Sequence, residues 1–108
     1  MDVIETALGR LVPAYEAQTV LEDAVLSLLY GYRMSPQNPK DVPMKLSDIA
    51  RGVSEDPALV LAALDALKER VPPLVTERER VQQERTFSIT GTGVGFVRNM
   101  QQGISSLA

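Results

Sequence analysis

The 108 residues, 44% apolar and 23% charged, have an ordinary globular balance with room for one hydrophobic core, with or without a helical arm. The chain has no Cys and no His, which excludes disulfides, thiol nucleophiles and Cys- or His-ligated metals and removes the usual general base near neutral pH. Net charge is −3 but unevenly spread: residues 1–30 carry Asp2, Glu5, Glu16, Glu22 and Asp23 against Arg10 alone, so no strongly basic surface argues for nucleic acid by itself.

Residues 3–12, VIETALGRLV, set Val3, Ile4, Ala7, Leu8, Leu11 and Val12 on one helical face, and the spacing predicts a first helix ended by Pro13 or followed by a second one starting there. Thr19 and Glu22 have the spacing of a capping box. Val20, Leu21, Ala24, Val25, Leu28, Leu29 and Tyr32 then recur with helical period to about Arg33. Pro36, Pro39 and Pro43 stiffen the loop that follows. KLSDIARGV predicts a short helix with Ser47 as N-cap, Ile49 and Ala50 inward and Gly52 as exit. A tight turn leads to Pro57, suited to the first turn of a longer helix capped by Asp56 or Ser54 and reaching about Arg70 before Pro72 and Pro73.

Beyond the prolines, LVTERERV and RTFSITG both alternate with a period of two around a polar QQ centre, which predicts an antiparallel hairpin. Val94 to about Gln102 predicts a closing helix. GTGVG at 91–95 stands between strand and helix, as phosphate-binding glycine loops do. However, Phe96 replaces the third glycine of the dinucleotide fingerprint and no P-loop lysine follows, so the glycines are read as the strand-to-helix corner. Tyr30 and Tyr32 are read as core packing before a ligand pocket. No carboxylate, Lys or Tyr cluster is arranged for catalysis, so an enzyme is not expected, nor any cofactor or metal. Without a signal-peptide pattern or an apolar run long enough for a membrane span, a cytoplasmic protein is expected.

The order of helix, short helix, tight turn, longer helix, hairpin and helix resembles the winged helix-turn-helix domain over about residues 44–98. Leu46, Ile49, Ala50, Val53, Val60, Leu64 and Leu67 stand where such domains lock two helices across their turn. The stretch RTFSITGTG looks like the wing ending of PadR-like and MarR-like transcriptional regulators, carried here by Arg85, Phe87, Ile89, Thr90 and Gly93. The Asp-x-Arg of MarR-like wings is absent, which places the resemblance nearer the PadR-like side. The fold class implied is mainly α with a small β-hairpin (α+β): residues 35–108 form the winged unit with its C-terminal helix, and residues 1–34 an N-terminal helical arm for dimerisation or core cover. A homodimer through Leu8, Leu11, Tyr15, Leu21, Val25 and Leu28 is expected, since so small a domain has little core of its own.

In these families the helix after the turn enters the major groove and the wing touches the backbone or minor groove. The resemblance therefore implies a small cytoplasmic DNA-binding transcriptional regulator. Here, no Arg, Lys, Asn, Gln, Ser or Thr occurs from Pro57 to Leu67, so the helix lacks the side chains that usually read bases. The candidate DNA contacts are therefore Arg78, Arg80 and Arg85 of the wing, with Lys45, Arg51 and Lys68 nearby. The competing reading of the wing is a solvated sheet in which Glu77, Glu79 and Glu84 pair with those arginines. A rival function follows from the apolar helix: Leu59, Ala62 and Ala66 docking a protein partner rather than DNA.

Overall fold

A computed structural model describes the backbone of residues 3–5, 11–38 and 42–107, and the side chains of 19–38 and 42–101. Its longest helix, α1 (Ala14–Arg33), turns Val25, Leu26 and Leu29 into the centre of the molecule, all at most 2% exposed. The apolar positions of its last turns lie three and four residues apart, which keeps them on one stripe against the core. Around α1 are packed α2 (Leu46–Val53), α3 (Pro57–Lys68) and α4 (Gly91–Leu107). A three-stranded antiparallel sheet closes the core, in the order β3 (Met44–Lys45), β5 (Glu84–Ile89), β4 (Val75–Val81). Ile49, Val60, Leu64, Leu67, Val75, Phe87 and Val97 join them in the buried cluster. This is the architecture of a winged helix-turn-helix: α2 and α3 form the helix pair, and β4 and β5 form the wing.

The N-terminal segment differs from its expected helix. Val3–Glu5 (β1) and Leu11–Pro13 (β2) are strands paired antiparallel, with Ile4 opposite Val12. Short runs of β-branched residues satisfy either period, and Pro13, at a strand end, needs no ladder donor. Helix α1 starts at Ala14, so Thr19 lies within it and heads no capping box; Glu22 is instead buried and paired with Arg70 at 3.3 Å. Helix α1 contributes Val25, Leu26 and Leu29 to the core.

Local chemistry explains the ends of the helix pair. Ser47 is inside α2, not its cap, and the N-cap position is Lys45, whose side chain makes no capping bond. The helix ends one residue past Gly52, at Val53, with Ser54 taking the left-handed conformation at φ 57° as its C-cap. Gly52 serves another purpose: a β-carbon there would lie 2.6 Å from Leu28 Cδ2, so the missing side chain lets α2 approach α1. Asp56 caps α3 as expected, accepting the Ala58 N–H at 2.8 Å, and Pro57 occupies the first turn. Helix α3 stops at Lys68, two residues short of the expected end. The pairing of β3 with β5, which seats Met44 opposite Phe87, was not foreseen because two residues carry no periodicity.

Candidate nucleic-acid interface

The wing turns at Gln82 and Gln83, both at positive φ (54° and 66°), as a two-residue hairpin with the right-handed strand twist requires. From this turn to the root of the sheet, the basic side chains meet different surroundings. At the root, Arg85 donates from Nε and Nη2 to the two carboxylate oxygens of Glu77, both at 2.8 Å. Lys68 of α3 donates to the same carboxylate at 2.8 Å, and Asp65 lies 3.7 Å from each cation. Both cations also lie over the Phe87 ring, at 5.5 and 6.0 Å from its centroid. The hydrogen bonds from Arg85 and Lys68 hold the Glu77 carboxyl at a pKa of about 2, well below the usual carboxylate range, and Glu77 in turn raises that of Arg85.

Elsewhere on the wing the cations are exposed. Arg80 is exposed and donates to the Gln83 carbonyl at 3.1 Å; Arg78 is exposed and donates to Ser88 Oγ at 3.3 Å. Lys45 on β3 donates to Gln82 Oε1. Arg51, in the last turn of α2, has a side chain 80% exposed and only a 3.7 Å contact to Asp48. The six expected basic residues thus divide: Lys68 and Arg85 are held by Glu77, while Arg51, Arg78 and Arg80 line the outer surface with Lys45 beside the turn.

Glu84 has a role the sequence does not reveal. Its Oε1 accepts the backbone N–H of Ser47 at 2.7 Å, so a carboxylate from the wing caps the start of α2 in place of a local side chain. Hydrogen bonds from Ser47 hold Glu84 below the ordinary carboxylate range. The residues are 37 positions apart, so no capping pattern in the sequence links them.

The outer face of α3 is open. Ala58, Leu59 and Ala62 are exposed, Leu59 at 53%, whereas Ala66 and Leu61 are half-buried. Of the expected dimer residues, Val25 is fully buried in the protomer's own core and offers no surface to a second copy, while Leu21 and Leu28 are half-buried against that core. Leu8 lies outside the described residues, as do the side chains of Leu11 and Tyr15. Tyr30 packs on the core, and Tyr32 borders a groove of about 370 Å³ with Val42, Pro43, Met44, Lys45, Asp48 and Val81. GTGVG forms the first turn of α4: Thr90 Oγ1 accepts the Gly93 N–H at 3.0 Å and donates to the Pro73 carbonyl at 2.7 Å. Among the described residues, no group of three acidic side chains could hold a metal ion, and no helix is long and apolar enough to cross a membrane.

No family model and no curated protein matches the chain. Solved structures do. A crystal structure of Staphylococcus aureus MepR in complex with DNA superposes with a TM-score of 0.65 at 17% identity, covering 81% of this chain and 64% of MepR. Lactococcus lactis ZitR in its apo form gives 0.62 at 20% identity, over 86% of this chain and 63% of ZitR. A Ralstonia eutropha protein assigned as DNA-binding gives 0.63 at 16% identity, over 75% of this chain and 94% of its own. The chain therefore spans just under two thirds of the MepR and ZitR chains and nearly all of the Ralstonia one. At these identities the likeness establishes the winged helix-turn-helix fold.

Proposed function

We propose that this protein is a small winged-helix transcriptional regulator that binds double-stranded DNA as a homodimer. The observation that carries the reading is the open outer face of α3 together with exposed cations on the two elements packed against it, Arg51 on α2 and Arg78 and Arg80 on β4, in a fold like that of a MepR chain bound to DNA. In such a fold α3 lies in the major groove and the wing meets the phosphates. Arg78, Arg80, Arg51 and Lys45 supply the phosphate contacts. Lys68 and Arg85 have their charge directed to Glu77 and serve the structure of the wing instead. A second copy would meet the outward face of α1, where Val20 is 59% exposed.

The test is fluorescence anisotropy of the full chain with random-sequence duplex DNA at low and moderate salt. Micromolar binding at low salt that weakens steeply as salt rises is the expected result, because each neutralised phosphate releases counterions. Absence of binding at low salt overturns the reading and turns the same face, Leu59, Ala62 and Ala66, toward a protein partner. Light scattering on the purified chain tests the dimer, with a monomer mass at all concentrations as the contrary outcome.

A further inference from the structure

A helix that enters the major groove normally carries donors and acceptors to read base edges; α3 carries no donor on its open face between Ala58 and Ala66, and the Asp65 carboxylate beside that face lies 3.7 Å from both Lys68 and Arg85. Ala58, Leu59 and Ala62 are exposed there, and Leu61 and Ala66 are half-buried beside them. The polar groups at either end are engaged: Asp56 accepts the Ala58 N–H, and Lys68 is turned to Glu77. Resting on the DNA-binding reading above, the geometry points to readout by apolar contact, in which α3 recognises the C5-methyl groups of thymine through Leu59, with Ala58 and Ala62 allowing the helix close to the base edges.

The chemistry of the groove supports this choice. Either base pair set against a donor-free surface loses water from its polar edge, O6, N7 and the cytosine amine in G·C and O4, N7 and the adenine amine in A·T, so that cost does not separate the two. The thymine methyl is the one major-groove feature that gains by being covered with hydrocarbon. Cations stand on the neighbouring elements: Arg51 is exposed on α2 and Arg78 and Arg80 are exposed on β4, and both elements pack against α3. A duplex carries base edges in the middle of its groove and phosphates along its walls for such charges to meet.

The test starts by enriching bound duplexes from a random pool, then replaces each thymine of the enriched site singly by deoxyuridine, which removes only the methyl group. Affinity should fall by about fourfold at each contacted thymine, the transfer free energy of one methyl-sized group expressed as a ratio. In Leu59→Ala, the difference between thymine and deoxyuridine should shrink while the salt dependence stays unchanged. Equal affinity for thymine and deoxyuridine at every position overturns methyl readout and leaves DNA binding standing. A full methyl preference retained in Leu59→Ala overturns the role given to Leu59. No duplex bound at any salt removes the regulator reading and this inference with it.

Discussion

The root and the tip of the wing are built from the same alternation of acid and base, ERER on one strand and ER on the other, yet they end in different states. At the root, one carboxylate, Glu77, gathers Arg85 and Lys68 over the face of Phe87, and α3 supplies both Lys68 and Asp65. At the tip, Arg80 reaches only a backbone carbonyl of its own turn and stays exposed. The two regions differ in what stands opposite. The root packs on α3, which brings a second set of charges and a low-dielectric wall, whereas the tip meets β3 and the start of α2 through Gln82 and Glu84 and its Arg80 stays exposed. A cation's availability for phosphate is therefore set by what packs against its strand, not by the strand's own pattern.

The largest effect should come from the root's attachment to α4. A β-carbon on Gly93 would lie 2.2 Å from the Leu74 carbonyl oxygen, immediately before β4, and backbone has little room to move away. Gly93→Ala should cost about 3 kcal/mol or more, as overpacking against a fixed neighbour does, and Gly91→Ala, with nothing within 4 Å, far less; chemical denaturation of both variants checks the contrast. Next comes the Glu77 cluster. Because the Glu77 pKa is lowered from 4.5 to about 2 in the folded state, its contribution is fully present above pH 4.5 and is lost as pH falls toward 2. Glu77→Gln should lower stability by about 1–2 kcal/mol at pH 7, screening by solvent included, and should flatten the decline in stability between pH 5 and pH 2. An unchanged acid limb would place the stabilisation elsewhere and dissolve the distinction between root and tip.

The sequence already carries much of this. Helical period located α1, α2, α3 and α4, and period two located the wing on Gln82 and Gln83. The ambiguity lay where the chain is short or the partner distant. Val3–Glu5 and Leu11–Pro13 fit a helical face as readily as two strands, and only pairing distinguishes them. The six candidate bases were legible as a group, but their division was not, because Glu77 and Lys68 are joined across a loop and Glu84 reaches Ser47 from the far side of the sheet. Val25 was foreseen as apolar and helical. Its placement in the core instead of at a dimer contact depends on which elements surround α1, and helical period alone gives a face without saying what covers it.

The comparison between root and tip can be broken by DNA. Replacing the outward pair, Arg78→Ala with Arg80→Ala, should reduce the slope of log affinity against log salt by about 2, the two phosphate contacts removed, and weaken binding about tenfold at moderate salt. Arg85→Ala should leave that slope unchanged while lowering the melting temperature, since its charge is already directed to Glu77. Equal losses of affinity in both would mean that the Glu77 cluster opens when DNA binds.

The smallest effect concerns the turn that carries the tip. Gln82 and Gln83 both adopt positive φ, a conformation in which the β-carbon of an L-residue crowds the following carbonyl. Glycine lacks that atom, so Gln83→Gly should relieve the crowding, offset in part by the greater freedom of glycine in the unfolded chain. The net expectation is a stabilisation of about 0.5 kcal/mol, read as a shift of about 2–4 °C in melting temperature for a domain of this size. Gln83 is the better choice of the two because Gln82 receives the Lys45 ammonium, and that contact ties the turn back to β3. Since Arg80 donates to the backbone carbonyl of residue 83 and not to its side chain, the substitution keeps that bond as well. A loss of stability instead would mean that the Gln83 side chain holds the wing tip in place, and that the tip is less free of the rest of the molecule than its exposure implies.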